Sequence, residues 1–357
     1  MKVYIQFIIK IFLKSFLYVS AIVFALVLIL NLLTEIEFFK NINVTYFFPI
    51  YISLLNSPSL LFEMFPFIFL ISTQMFFINL FKNHQIQTLK YSGLKNIKIM
   101  IILMITSLLT GVLLIVLFYN LSSNLKNIYL EMKNNYTSDN KYLAVITNNG
   151  LWIKDNVDKN INIINASKIN DRFLINASIT ELDNEFNVIN HIESEKIDIS
   201  KKNWILNKAA IYKGNEKILK ENIKFYSNFD YERIQSLFSN LSSLSVMELF
   251  ELRKNYILLN LSTTEINLQI NKIASYPIYL SMMTVLAGII MFNVRSFNSN
   301  TLKISFGLFS SVLIYYMNNF FNVMGKTEKI PIIFSVWGPI IFLIIVNFIY
   351  TIKINEK

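Results

Sequence analysis

Residues 11–34 read Ile11-Phe-Leu-Lys-Ser-Phe-Leu-Tyr-Val-Ser20-Ala-Ile-Val-Phe-Ala-Leu-Val-Leu-Ile-Leu30-Asn-Leu-Leu-Thr34. After Lys14 the run carries no charge, and it reaches the roughly 20 residues a helix needs to cross a ~30 Å hydrocarbon core. Lys2, Lys10 and Lys14 precede or open it, as basic residues do in a secretory signal. A signal core is only about 7–15 residues long and ends at a small-x-small cleavage site. The run from Ile11 to Leu33 is longer, and no such site follows. The expectation is a retained first membrane helix.

Five further apolar runs of similar length follow, at about 58–81, 98–121, 273–294, 303–323 and 331–352. Composition agrees: 54% of residues are hydrophobic, only 16% are charged, and mean hydropathy is +0.46. A soluble domain carries about 25% charge, so this much apolar surface needs a solvent other than water. The fold class expected is a membrane α-helical protein of six transmembrane helices with one polar insert. The net charge of +10 is placed mainly beside the apolar runs, where topology uses it, and no nucleic-acid partner is expected. With no cysteine, disulfides and thiolate metal sites are excluded.

Short-loop charge orients the chain. Eleven cations (Lys2, Lys10, Lys14, Lys82, Lys90, Lys95, Lys98, Arg295, Lys303, Lys353 and Lys357) fall on one side, and three (Lys40, Lys326 and Lys329) on the other. The positive-inside rule then makes both termini cytoplasmic and places the insert outside, in the periplasm of a double-membrane bacterium. The domains expected are 1–121 (helices one to three), 122–243 (periplasmic, all-β), 244–272 (helical connector) and 273–357 (helices four to six).

Within the insert, Leu143–Thr147 and Leu151–Asp155 flank Asn148-Asn149-Gly150, a type I′ hairpin signal because both central residues need φ > 0. Short alternating runs at 161–164, 173–179, 186–192, 204–212 and 218–225 continue the pattern. Asp183-Asn184 and Lys213-Gly-Asn215 separate some of them. Strands at this spacing suggest a β-sandwich or jelly roll. Ser245 with Glu248 forms a capping-box pattern that opens a helix, and a polar helical stretch near 263–272 leads into helix four.

Signals of enzymatic chemistry are weak. His84 and His191 fall on opposite membrane faces, which argues against a histidine metal site. Gly325-Lys326-Thr327 lacks the upstream glycine of a phosphate loop, since Phe320 stands there. Glu35, Glu37 and Glu63 lie at membrane margins, as interfacial carboxylates facing water or as part of a substrate path. No catalytic residue is expected.

The loop between helices two and three, Lys82-Asn-His-Gln85-Ile-Gln-Thr-Leu89-Lys90-Tyr-Ser-Gly93-Leu-Lys95, has no helix breaker over 83–92. Ile86 and Leu89 share a face, and Gly93 suits a left-handed C-cap. A short amphipathic helix near 83–93 follows, either a membrane-hugging connector or a coupling helix docking into a cytoplasmic ATPase.

At these residues the chain resembles the LptF/LptG (YjgP/YjgQ) permeases, the transmembrane subunits of the lipopolysaccharide-export ABC transporter. Gln85-Ile-Gln-Thr-Leu-Lys-Tyr-Ser-Gly93 fits the family's Glu-Leu-x-x-Leu/Met-Arg/Gln-Ala-Ser/Ala-Gly frame, with Gln85 in place of the usual Glu. Pro66, Gly150-Leu-Trp-Ile-Lys-Asp155, Lys272-Ile-Ala-Ser-Tyr-Pro277, Arg295-Ser296 and Gly307 match in order. Ile330-Pro331 with Trp337-Gly-Pro339 looks more like LptG than LptF.

The resemblance implies a heterodimer with a second such permease, and an outward-facing cavity that lipopolysaccharide enters laterally between helix one of each subunit and helix five of the other. It implies ATPase coupling through Gln85, Ile86, Leu89, Lys90 and Gly93 to an LptB-like cytoplasmic ATPase dimer. ATP would be used there, and this chain would bind no cofactor and no metal. Periplasmic partners would be a single-span LptC-like bridge and an LptA-like carrier. Lipid A phosphates need cations at the outer rim, where the topology puts Lys40, Lys126 and Lys133; a solvated lysine is the plainer reading of each. The alternative from another class is a membrane-anchored periplasmic binding, scaffold or sensor protein without transport activity.

Overall fold

The computed structural model describes residues 3–134, 136, 151–157, 160–170, 172–183, 187–213, 216–231, 234, 240–258, 262–293 and 299–355. They fall into two compact units. The hairpin expected at Asn148-Asn149-Gly150, the turns at Asn184 and Gly214-Asn215, and Arg295-Ser296 lie outside the described residues.

The first unit, Met1–Tyr129, Ser242–Val246 and Thr264–Lys357, is helical. Its elements are α1 (Val3–Phe39), α2 (Phe48–Lys82), α3 (Gln85–Tyr91) and α4 (Asn96–Leu113), which runs through a π-helical turn, Leu114–Tyr119, into α5 (Asn120–Asn134), whose residues from Leu130 on belong to the second unit. After α6 (Val246–Leu258), which belongs mostly to the second unit, come α7 (Thr264–Asn293), α8 (Asn300–Lys326) and α9 (Ile332–Asn355). Among the described residues, five helical stretches are long and apolar enough to cross a membrane: Val3–Phe39, Phe48–Lys82, Asn96–Lys133, Thr264–Phe292 and Ile332–Ile352. The sixth expected span coincides with α8. At 27 residues α8 has the length, but Asn318, Asn319 and Asn322 hold down its apolarity.

Helix α2 begins at Phe48 rather than near 58. Asn56-Ser57-Pro58-Ser59 reads as a break in sequence, yet these polar side chains are buried inside a continuous helix. Asn31 of α1 donates to the Ser53 carbonyl (3.1 Å) and hydroxyl (3.2 Å), and its Oδ1 accepts from Asn56 Nδ2 at 3.1 Å. Pro49 in the first turn suits a helix start, because no N–H is needed there.

Pro66 removes the N–H that would bond the Phe62 carbonyl four residues back. The Tyr276 hydroxyl of α7 donates to that carbonyl instead, and the Tyr276 ring stacks on Phe62 with centroids 4.6 Å apart. Helices α4 and α7 meet at Gly111, where a Cβ would stand 3.0 Å from Pro277 Cα, and Ser107 donates to the Thr284 hydroxyl at 2.8 Å. Small residues and neighbouring hydroxyls do in this core what water does elsewhere.

The second unit, Leu130–Leu241 and Met247–Thr263, is built on six antiparallel strands. These are β1 (Leu151–Val157), β2 (Asn160–Asn170), β3 (Phe173–Leu182), β4 (Val188–Asp198), β5 (Asn203–Lys213) and β6 (Glu216–Tyr226). Their order in the sheet is the chain order, a meander in which each strand pairs with the one before it. The strand content matches the sequence reading, whereas the crossover connections of a jelly roll are not among the described residues.

One face of the sheet carries the core, with Ile153, Ile164, Ile179, Ile192, Leu206 and the fully buried Trp204 in one cluster. Alternation slips at Asn176 (φ 48°) and Lys208 (φ 50°), where buried positions step by three, from Leu174 to Ala177 and from Leu206 to Ala209. Helix α6 starts at Val246 directly after Ser245, with Glu248 in its first turn.

Candidate functional site

The seven residues of α3 end in a complete Schellman motif. Gly93 N–H bonds the Lys90 carbonyl (2.9 Å) and Leu94 N–H the Leu89 carbonyl (3.1 Å), with Gly93 at φ 81°. This is the 5→2 and 6→1 pair that closes a helix through a left-handed residue, with an apolar contact between its flanking positions. The flanking positions are Leu89 and Leu94, both buried in one cluster with Ile86, Ile8, Phe12 and Ile99.

Consequently Ile86 and Leu89 face the bundle rather than a partner. Gln85 is half-buried at the first turn. Gln87, Thr88, Lys90 and Tyr91 are exposed, Tyr91 at 91%. Tyr91 was not among the residues singled out from sequence; an aromatic one step from Lys90 on the polar arc of a short helix was the available signal. The motif frame therefore divides into an anchoring half (Ile86, Leu89, Gly93) and a presenting half (Gln85, Lys90).

The three candidate phosphate-binding lysines differ in exposure. Lys40 is exposed in the turn after α1. Lys126 is half-buried on α5, within electrostatic reach of Glu63 on α2, and the same carboxylate reaches Lys272 on α7. Lys133 is buried in the last turn of α5. Lys272 is the cation the sequence reading did not propose; a lysine immediately before an apolar run was its signal. Glu35, read from sequence as an interfacial carboxylate facing water or as part of a substrate path, is 1% exposed and accepts the Tyr129 hydroxyl at 2.8 Å. Glu37 is exposed, as expected of a margin.

A bridge between α2 and α8 sits in the half of the bundle that carries α3. Gln74 donates to the Lys303 carbonyl at 2.9 Å, and its amide lies where a Cβ on Gly307 would stand, 2.2 Å from Nε2. Gly307, matched from sequence only as a motif position, is what lets that amide lie across α8.

Long apolar helices, a tyrosine hydroxyl satisfying the backbone carbonyl that Pro66 frees, and an inserted sheet unit define a multi-pass membrane protein. More particularly, the family model for the lipopolysaccharide export system permease LptF/LptG matches residues 6–353, and the chain belongs to that family. The family is one of permeases, transporter subunits rather than enzymes. No curated protein matches the chain.

Proposed function

We propose that this chain is one transmembrane subunit of an ATP-driven exporter that draws lipopolysaccharide from the inner membrane and passes it to a periplasmic bridge. In this reading α8 is the fifth of six spans, α3 and both termini are cytoplasmic, and the β unit is periplasmic. The Trp337-Gly338-Pro339 pattern favours the LptG branch. The observation that carries the proposal is α3: a capped helix fastened to the bundle by Ile86, Leu89 and Leu94, with Lys90 and Tyr91 turned outward. A helix held this firmly transmits a push from a partner instead of absorbing it.

ATP would bind and turn over on a separate, dimeric nucleotide-binding subunit. Closure of that dimer would press on Gln85, Lys90 and Tyr91 and, through the Gly93 cap, move α2 and α4 together. Substrate acyl chains would lie against apolar faces that this chain leaves uncovered, such as Leu26, Ile29 and Leu30 of α1 and Phe309, Leu313 and Phe320 of α8. Those are helices one and five of the proposed lateral gate, closed by a second permease subunit. Lys40 and Lys126, with Lys272, would meet phosphates at the outer rim.

The test is reconstitution with the ATPase and the second permease. Leu89→Pro breaks α3 and should leave ATP hydrolysis running without export. Lys90→Glu with Tyr91→Ala changes only exposed side chains and should do the same in a complex that assembles normally. Export equal to wild type in the double variant removes the coupling role. Failure to co-purify with any nucleotide-binding subunit favours the scaffold or sensor reading instead.

A further inference from the structure

Helix α3 spends its apolar side chains inward. Ile86, Leu89 and Leu94 are buried with Ile8, Phe12 and Ile99, so the arc left facing out is Gln87, Thr88, Lys90, Tyr91 and Ser92. A helix that lies in a lipid surface keeps an apolar face free to sink about 5–10 Å into it. The outward arc of α3 holds no aliphatic side chain. Tyr91, 91% exposed, is an amphipathic ring of the kind that anchors protein interfaces. The arc therefore suits a protein cleft better than a membrane surface.

The charge around it is one-sided. Residues 82–98, all of them described, carry Lys82, Lys90, Lys95 and Lys98 and no Asp or Glu. All four lysines are exposed, and none makes an ion pair among the described residues. The segments that the positive-inside reading puts on the same side extend the imbalance. Residues 1–14 and 294–303 hold Lys2, Lys10, Lys14, Arg295 and Lys303, again with no Asp or Glu. Glu356, within residues 353–357, is the one carboxylate side chain that this topology adds there. Lys303 of α8 reaches the last turn of α2, with Nζ 5.8 Å from the centre of the Phe81 ring.

We propose that the outward arc of α3 docks into an acidic cleft on the nucleotide-binding subunit, with carboxylates facing Lys90 and Lys95 and the Tyr91 ring seated in the cleft. This rests on the export reading of α3 as the ATPase contact and adds the chemistry of the surface that receives it. A basic cleft would set like charge against four unpaired lysines, which suppresses association. Gln85, half-buried in the first turn, brings no negative charge to offset them. Charges at the rim of an interface act mostly on the association rate, through a field that salt screens.

The test is the rate at which the ATPase subunit associates with the two-permease complex in neutral-lipid nanodiscs. The second permease is an unchanged background, so differences between variants report this chain. Association should slow by about tenfold or more as salt rises from about 0.01 M to about 1 M, over which the screening length falls from ~30 Å to ~3 Å. Lys90→Gln with Lys95→Gln should slow it severalfold at low salt and flatten the salt dependence. Gln85→Glu should slow it by about twofold to fivefold. A carboxylate suits a first helical turn, so this variant keeps α3 folded. Dissociation should change little, so every variant still fills with ATPase in excess.

Faster association of Gln85→Glu shows a basic cleft and overturns the proposal. A rate indifferent to salt and to the lysine pair also overturns it, and weaker retention of phosphatidylglycerol by Lys90→Gln with Lys95→Gln would then assign those lysines to the lipid surface. An ATPase subunit that does not bind the wild-type complex sinks the export reading and this proposal with it. One that binds and drives export, but with the opposite charge dependence, sinks this proposal alone.

Discussion

The Asp155 carboxylate of β1 accepts the Ser227 hydroxyl at 2.7 Å across 72 residues of sequence. The same carboxylate takes Asn228 N–H at 3.0 Å and Asn228 Nδ2 at 2.9 Å, and Asp155 is fully buried. Ser227 in turn accepts Phe229 N–H at 3.1 Å, and the Phe229 carbonyl receives Trp204 Nε1 at 2.8 Å. One side chain thus pins the chain leaving β6 to the first strand.

Asp155→Ala should destabilise the β unit by about 3 kcal/mol, because it strands buried donors that had a charged acceptor. Asp155→Asn, which keeps an acceptor of the same shape, should cost roughly half as much. Chemical denaturation followed by Trp204 fluorescence measures both. A midpoint for Asp155→Ala that moves no more than that of an exposed control such as Lys217→Ala would sink this account.

Tyr276→Phe should cost about 1 kcal/mol, the usual scale for a side-chain hydrogen bond between membrane helices. The loss should depend on Pro66. In Pro66→Ala the helix can supply its own N–H to the Phe62 carbonyl, so Tyr276→Phe should then cost little. A double-mutant cycle on unfolding in mixed micelles reads the coupling directly. Simple additivity would mean that the hydroxyl is not satisfying the carbonyl that Pro66 frees.

Gly307→Ala should destabilise the contact of α2 with α8 by about 1–2 kcal/mol through overpacking against the Gln74 amide. Adding Gln74→Ala opens that space, so the double variant should be more stable than Gly307→Ala alone. Thermal midpoints of the four proteins in one detergent decide it. A double variant worse than both single changes would contradict the steric origin.

Gly93→Val should cost about 1–2 kcal/mol from backbone strain alone. At φ 81° a branched residue is disfavoured, yet a Cβ there would touch nothing within 4 Å. Gly93→Asn tolerates the left-handed region and should lie near wild type. Amide exchange at Leu94, whose N–H closes the cap, should speed up in Gly93→Val and remain slow in Gly93→Asn; equal exchange in both removes the strain argument.

Much of the fold was legible because membrane helices and half-buried strands announce themselves locally. The run from Ile11 to Leu33 lies inside α1, and the runs at 173–179, 204–212 and 218–225 lie inside β3, β5 and β6. Gly93 was readable as a left-handed cap because φ > 0 is a single-residue property. The start of α2 was missed because Asn56 and Ser57 look like loop residues until Asn31 is placed beside them. The extension of α4 through the π-helical turn to Asn134 was missed because Asn120, Ser122 and Ser123 interrupt apolarity without interrupting helix. At the candidate site, Lys90 is exposed. Ile86 and Leu89 were grouped with it, since spacing tells that two residues share a face but not what covers that face.

The sequence by itself determined that this chain needs a membrane, roughly where its spans lie, and where one short capped helix joins two of them. Hydrophobicity and backbone preference are summed along contiguous residues and need no knowledge of neighbours. Only the tertiary structure decided that Glu35 turns inward to Tyr129, that Tyr276 answers for Pro66, and that Asp155 holds Ser227 and Asn228. Each of those depends on a partner far away in the chain, because a buried polar group is tolerated only where another element brings the matching donor or acceptor.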